Sequence, residues 1–144
     1  MKKRGLILAG AAALAAAALL LAPRYLRMGP RAPSFANTNV RAPAGVRIRV
    51  EVLNASTVRG LARRATMFLR DRGFDVVESG GAPVAEHRDS TLVLDRTGHP
   101  EWAALAARAM GNARAESRPD TLRDVDLTVL VGGGWRPPPE PFYP

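Results

Sequence analysis

VRIRVEVLNASTVRGLARRA, Val46 to Ala65, is the stretch on which the fold turns. Val46, Ile48, Val50 and Val52 alternate with Arg47, Arg49 and Glu51, a period of two that gives a strand one apolar and one polar face. The period then changes. Val58, Leu61, Ala62, Ala65, Phe68 and Leu69 fall on one stripe of a helix, Arg59, Arg63, Arg64, Arg70 and Asp71 lie off it, and Gly73 is the natural stop. Between strand and helix lies Asn54-Ala55-Ser56-Thr57, and two readings of it stand side by side. In one, Ser56 or Thr57 caps the helix and Asn54 bonds the turn, a local gain of about 1 kcal/mol. In the other, free amides at the helix start receive an anion, Arg59 adds charge, and Gly60 allows close approach.

Working outward, Phe74–Ser79 and Thr91–Asp95 read as further strands. His99-Pro100-Glu101 opens a second helix, with Trp102, Leu105, Ala106, Ala109 and Met110 as its apolar stripe and Gly111 as its end. Residues 112–117 form a candidate short extra strand, and Asp126–Val131 is the last strand before a triple glycine and Trp135. The order β-α-β-β-α-β predicts an α/β (α+β) two-layer sandwich, ferredoxin-like or of a related split β-α-β type. Both helices are expected on one face. The polar residues of the first strand, Arg47, Arg49 and Glu51, are then expected on an open face, beside Asp126 and Thr128 if the first and last strands are neighbours. Alternation argues against a doubly wound sheet, whose strands read as continuous apolar runs.

Composition excludes several kinds of chemistry. The chain has no cysteine, so disulfides, thiolate metal sites and cysteine nucleophiles are absent. His87 and His99 lack a ligand pattern, and no metal or cofactor is expected. The net charge of +8 is concentrated at the N-terminus, where Lys2, Lys3, Arg4, Arg24, Arg27, Arg31 and Arg41 meet no acid. From Gly45 to Trp135, 13 arginines face 12 carboxylates. That near balance, with no aromatic residues alternating along a sheet face, argues against nucleic acid as a partner. His87-Arg88-Asp89 lacks the glycine loop and metal-binding motif of a kinase, and Ser90 lacks a nucleophile elbow. No enzyme activity is expected.

Gly5–Ala22 carries no charge over 18 residues and would span about 27 Å as a helix. A cleaved signal peptide competes with a membrane anchor here, but Leu20-Leu21-Ala22-Pro23 is a poor cleavage site, which favours the anchor. Lys2, Lys3 and Arg4 would remain in the cytoplasm, leaving the remainder on the extracytoplasmic side. The expected organisation is an anchor over 1–22, a Pro-rich tether over 23–44, a domain over 45–135 and a Pro-rich tail over 136–144. Fully extended, the tether would reach about 70 Å.

VEVLNASTVRGLARRATMFLRDRGFDVVESG, then TLVLDRTGHPEWAALAARAMG and DLTVLVGGGW, resembles the LytR C-terminal domain family over about residues 46 to 135. Leu53-Asn54 before a small polar turn, Gly60-Leu61-Ala62, Arg72-Gly73-Phe74 and the closing Gly-Gly-Gly-Trp carry the likeness. In that family the domain often follows a catalytic domain that transfers lipid-linked polymers onto peptidoglycan. This chain has no room for that domain. The resemblance implies a bacterial cell-envelope setting and a stand-alone accessory domain. Its expected partners are the membrane, through the N-terminal helix, and peptidoglycan or another envelope polymer. The alternative is an adaptor that recruits an envelope enzyme. Candidate ligand-binding residues are Asn54, Ser56, Thr57, Arg59 and Gly60 in the turn and Arg47, Arg49 and Glu51 on the strand.

Overall fold

The computed structural model describes residues 32–139. Its strands are β1 (Ser34–Phe35), β2 (Arg49–Asn54), β3 (Asp75–Gly81), β4 (Leu92–Asp95), β5 (Arg114–Ser117), β6 (Leu127–Val131) and β7 (Trp135–Arg136). Helix α1 (Leu61–Asp71) links β2 to β3, helix α2 (Pro100–Ala109) links β4 to β5, and a 3-10 turn occupies Val84–Glu86. The apolar segment Gly5–Ala22 and the last residues of the tail lie outside the described residues. Among those described, no helix is long and apolar enough to cross a membrane.

Local signals set the element boundaries. Helix α1 ends in a Schellman motif: the Phe74 amide donates to Leu69 O and the Gly73 amide to Arg70 O, with Gly73 at φ 86°. Pro100 stands in the first turn of α2, where its missing N–H costs nothing. Asp95 closes the turn before it, one carboxylate oxygen accepting the amides of Thr97, Gly98 and His99 at 2.9 to 3.1 Å.

Five strands form one sheet in the order β3-β2-β6-β4-β5. β2 runs parallel to both β3 and β6, β4 is antiparallel to β6, and β5 is parallel to β4. This corrects the ferredoxin-like expectation. In a split β-α-β unit another strand separates the two that a helix connects, whereas β2 bonds directly to β3 and β4 to β5. The extra strand read at residues 112–117 is real and becomes the sheet edge as β5. The last long strand, β6, inserts between the two β-α-β units.

Both helices do cover one face, as alternation predicted. Leu61, Ala65, Phe68 and Leu69 of α1 and Ala103, Ala106 and Ala107 of α2 share a core with Val50, Val52, Val93, Leu127, Val129 and Val131. The other face is not open. Leu92, Leu94 and Leu130 are buried there with Ala55, and Leu53 and Ala82 pack against them. Thr128 and Glu51 are buried on the same side. The β3–β4 loop and the segment before β6 close it, the first through the Arg88 amide on Ala55 O and the second through Arg123 on Glu51.

Residues 32–44, read from the sequence as part of a flexible tether, are docked. β1 pairs in parallel with β7, the Asn37 amide donates to Ala109 O at 2.8 Å, and the Ala42 amide to Arg72 O at 2.8 Å. The Arg72 guanidinium, stacked over Phe68, holds Thr38 O. Ala36, Val40 and Ala42 extend the core. A Pro-rich composition lowered the expectation of regular structure here, yet backbone hydrogen bonds and three small apolar side chains suffice to fix the segment.

Candidate functional site

The Asn54 turn is closed by its own side chains. Asn54 Nδ2 donates to Val58 O at 2.8 Å, and Oδ1 accepts from the Ser56 amide and hydroxyl at 3.1 and 2.8 Å. Ser56 Oγ in turn accepts the Val58 amide at 3.1 Å. Both functions of the Asn54 amide are thus used in bonding the turn. The capping expectation for Ser56 and Thr57 is corrected, because α1 begins only at Leu61. Its N-cap is Gly60, left-handed at φ 75° and without a side-chain cap bond. A β-carbon at this φ would be strained, so the glycine serves to reverse the chain between turn and helix. Val58 falls in this turn and is 42% exposed rather than on the helical stripe. Thr57 and Arg59 are also exposed.

This turn lies at the C-terminal end of β2, beside the end of the parallel strand β6. The β3–β4 loop reaches the same place, and the two loops enclose an open crevice of about 470 Å³. Ser56, Thr57, Val58, His87, Arg88, Asp89 and Gly133 line it. The triple glycine holds the β3–β4 wall, the Gly133 amide donating to Arg88 O at 3.0 Å and the Gly134 amide to Asp89 O at 2.7 Å, and the Arg88 amide ties that wall to the Asn54 turn through Ala55 O at 2.8 Å. A β-carbon on Gly132 would stand 2.4 Å from the backbone carbon of Ser90, so only glycine permits this approach. Arg88 is spent inside the loop, on Glu86 O and the Glu86 carboxylate. Thr57, His87 and Asp89 are exposed in the crevice walls. His87-Arg88-Asp89 carries no sequence motif that marks it as part of this crevice. The run of glycines before Trp135 was the available sign that another backbone approaches, but nothing in it says which one.

The strand candidates have a different fate. β2 and β6 are neighbours, and Glu51 stands opposite Thr128 as expected. Glu51 is buried, however, accepting from the Thr128 hydroxyl at 2.9 Å and from Arg123. Arg49 donates to Asp126 through Nε and Nη2 at 3.3 Å each and to Asp124 through Nη1. Those carboxylates, Asp126 first, push the Arg49 guanidinium above its ordinary range. Arg96, bonded to Thr128 Oγ1 at 3.0 Å, is lowered by partial burial and by the nearby Arg123 charge. Arg47 is exposed and ion-paired to Asp75 at 2.6 Å. The expectation of a wet face is therefore corrected at Glu51, which is buried, while Arg49 is partly buried and paired with Asp126 and the exposed Asp124.

His99 stacks on Trp102 with ring centroids 3.8 Å apart and bonds Glu101 at 3.1 Å, which accounts for it at the start of α2. Trp135 is fully buried, 6.1 Å from Phe68. Among the described residues no group of three His, Cys, Asp or Glu side chains is placed to hold a metal ion.

Fold and site together define a small two-layer α/β domain with an open crevice at its strand ends. Residues 47–135 match the family model LytR_C, described as LytR cell envelope-related transcriptional attenuator, and the chain belongs to that family. The description is that of a cell-envelope-related attenuator, not of an enzyme. Among solved structures, the solution structure of the C-terminal domain of RV0431 is 29% identical, covering 64% of this chain and 77% of that one, with a TM-score of 0.41. No match to the chain is found among curated proteins.

Proposed function

We propose that this chain is a non-catalytic binding domain of the bacterial envelope. The apolar segment Gly5–Ala22 holds it at the membrane, and the domain works on the extracytoplasmic side in the assembly of cell wall or another envelope polymer. The observation that carries the reading is the crevice, whose exposed polar groups sit on two loops, one fixed by the glycine run and tied to the other by the Arg88 amide. Family membership supplies the envelope setting. Full-length protein in detergent should co-sediment with purified sacculi. Thr57→Trp, which fills the crevice from an exposed wall position, should release it. Absence of co-sedimentation at low salt would count against wall binding, and unchanged binding by Thr57→Trp would move the site elsewhere.

A second reading, an adaptor that recruits an envelope enzyme, draws on the free edge of β3. That strand ends the sheet, and its residues from Val77 to Gly81 are exposed. Such an edge can accept a partner strand. Crosslinking in native membranes through a photoreactive residue at Val77 should yield one discrete adduct if this reading holds, and none if it does not.

A further inference from the structure

We infer that Arg59, Arg63 and Arg64, together with the adjoining crevice, form a docking surface for an anionic glycan. This is a hydroxyl-bearing polymer whose charge is phosphate or carboxylate. The inference rests on the polymer-binding reading above and narrows its ligand.

Arginines elsewhere in the described residues have work to do within the fold. Arg47, Arg49, Arg114, Arg118 and Arg123 pair with carboxylates, while Arg41, Arg70 and Arg136 donate to backbone carbonyls. Among these residues, Arg59, Arg63, Arg64 and Arg108 are exposed and make no ion pair or side-chain hydrogen bond. Arg108 has a local explanation, because it occupies the last turn of α2, where the helix dipole favours a cation. The other three lie between positions 59 and 64, at the opposite end of a helix. There the dipole disfavours positive charge, and the first turn of α1 holds no acid to offset it. In a domain where 13 arginines face 12 carboxylates, this is a local excess of charge that the fold does not use.

Arg59 follows the crevice wall Ser56-Thr57-Val58 directly in sequence, and Arg63 and Arg64 stand in the first turn of α1 just beyond it. A guanidinium presents a planar fork of donors that matches two oxygens of a phosphate or a carboxylate. In the crevice, the Thr57 hydroxyl, His87 ring and Asp89 carboxylate suit sugar hydroxyls, and Asp89 would repel a bare anion. The complementary ligand therefore carries both groups, with its anions along the arginines and its hydroxyls over the crevice. A flat bilayer surface does not enter a concavity, and so fits this arrangement less well than a chain does.

Full-length protein in detergent can be titrated with poly(glycerol phosphate), polygalacturonate and neutral dextran. At least one anionic polymer should bind and dextran should not, and comparing the two anionic arms identifies the charge. The triple variant R59Q/R63Q/R64Q should lose about tenfold in affinity, the scale of three exposed ion pairs, with a flatter salt dependence. Arg108→Gln should leave binding unchanged. The triple variant should melt no lower than the parent, since a structural role would lower its melting temperature. Equal binding to dextran, undiminished binding by the triple variant or an equal loss in Arg108→Gln overturns the inference. So does arginine-dependent binding confined to phosphatidylglycerol nanodiscs, which would indicate a membrane contact. If the triple variant still co-sediments with sacculi as the parent does, this inference falls and the wall-binding reading stands. If sacculi fail to bind while the anionic polymers bind through the arginines, wall binding falls instead.

Discussion

The two faces of the sheet are covered by different chemistry. On one, valines of β2, β4 and β6 meet Phe68, Leu69 and the alanines of α2, with Trp135 closing the edge. On the other, a small leucine cluster adjoins Glu51, Thr128, Arg96 and Arg123, and the cover is loop rather than helix. Apolar burial is non-directional and contributes roughly in proportion to area. A buried ion pair contributes little net, because desolvation offsets much of the attraction, but its geometry is demanding. The helix face therefore carries the stability, while the loop face fixes where loops stand. That division reaches the site: Arg118 spans to Glu86 at 3.6 Å, tying the segment before β6 to the loop that lines the crevice.

The contrast can be broken most severely from the helix face. Phe68→Ala removes a fully buried ring from between α1 and Trp135 and should cost about 3–5 kcal/mol in chemical denaturation. On the loop face, Arg123→Ala leaves the buried Glu51 with only the Thr128 hydroxyl. The guanidinium side is 44% exposed, so solvent screens the pair and the expected loss is about 1–2 kcal/mol. Adding Glu51→Gln removes the stranded charge and should restore part of the loss. A double variant no more stable than Arg123→Ala would show that the pair does not control this face.

Local chemistry was legible where a residue's own neighbours decide its conformation. Gly73 as a stop and Pro100 as a first-turn residue correspond to observed geometry, because each depends on a few adjacent residues. Val50 and Val52 share the helix-covered face as the β2 alternation predicts, but Glu51 between them is buried rather than wet. Strand order was not legible, since one sequence carries no record of which strands pair. The same limit hid the loop cover. A period of two reports that Glu51 and Val52 point to opposite sides, but not that Arg123 arrives from a loop to bury Glu51. At the turn, Ser56 and Thr57 have the chemistry of caps, yet the left-handed Gly60 delays the helix and leaves them in the crevice wall. Thr57 stands in the turn that the sequence singles out, whereas only the fold brings His87 and Asp89 beside it.

Asn54→Ala tests the junction between the two chemistries at a smaller scale. It removes the bonds to Val58 O and to Ser56, and should cost about 1 kcal/mol. Hydrogen exchange should rise at residues 55–58 and remain unchanged in α2. Loss of polymer binding with the fold retained would show that the turn's shape, not only its stability, matters to the crevice.

The smallest expected effects make the sharpest comparison, because one substitution should have opposite signs on the two faces. Thr66, in α1, is 6% exposed, and its hydroxyl has no partner among the described residues. Thr66→Val keeps the branched shape and removes an unsatisfied polar group, so a gain of about 0.5 kcal/mol is expected. Thr128 is also buried, but its hydroxyl donates to Glu51 and accepts from Arg96. Thr128→Val should therefore lose about 1 kcal/mol, since it leaves both charged partners short of a bond. Melting temperatures of the two variants, measured side by side, decide the matter. Shifts of the same sign would mean that the apolar and ionic covers are not energetically distinct at these positions.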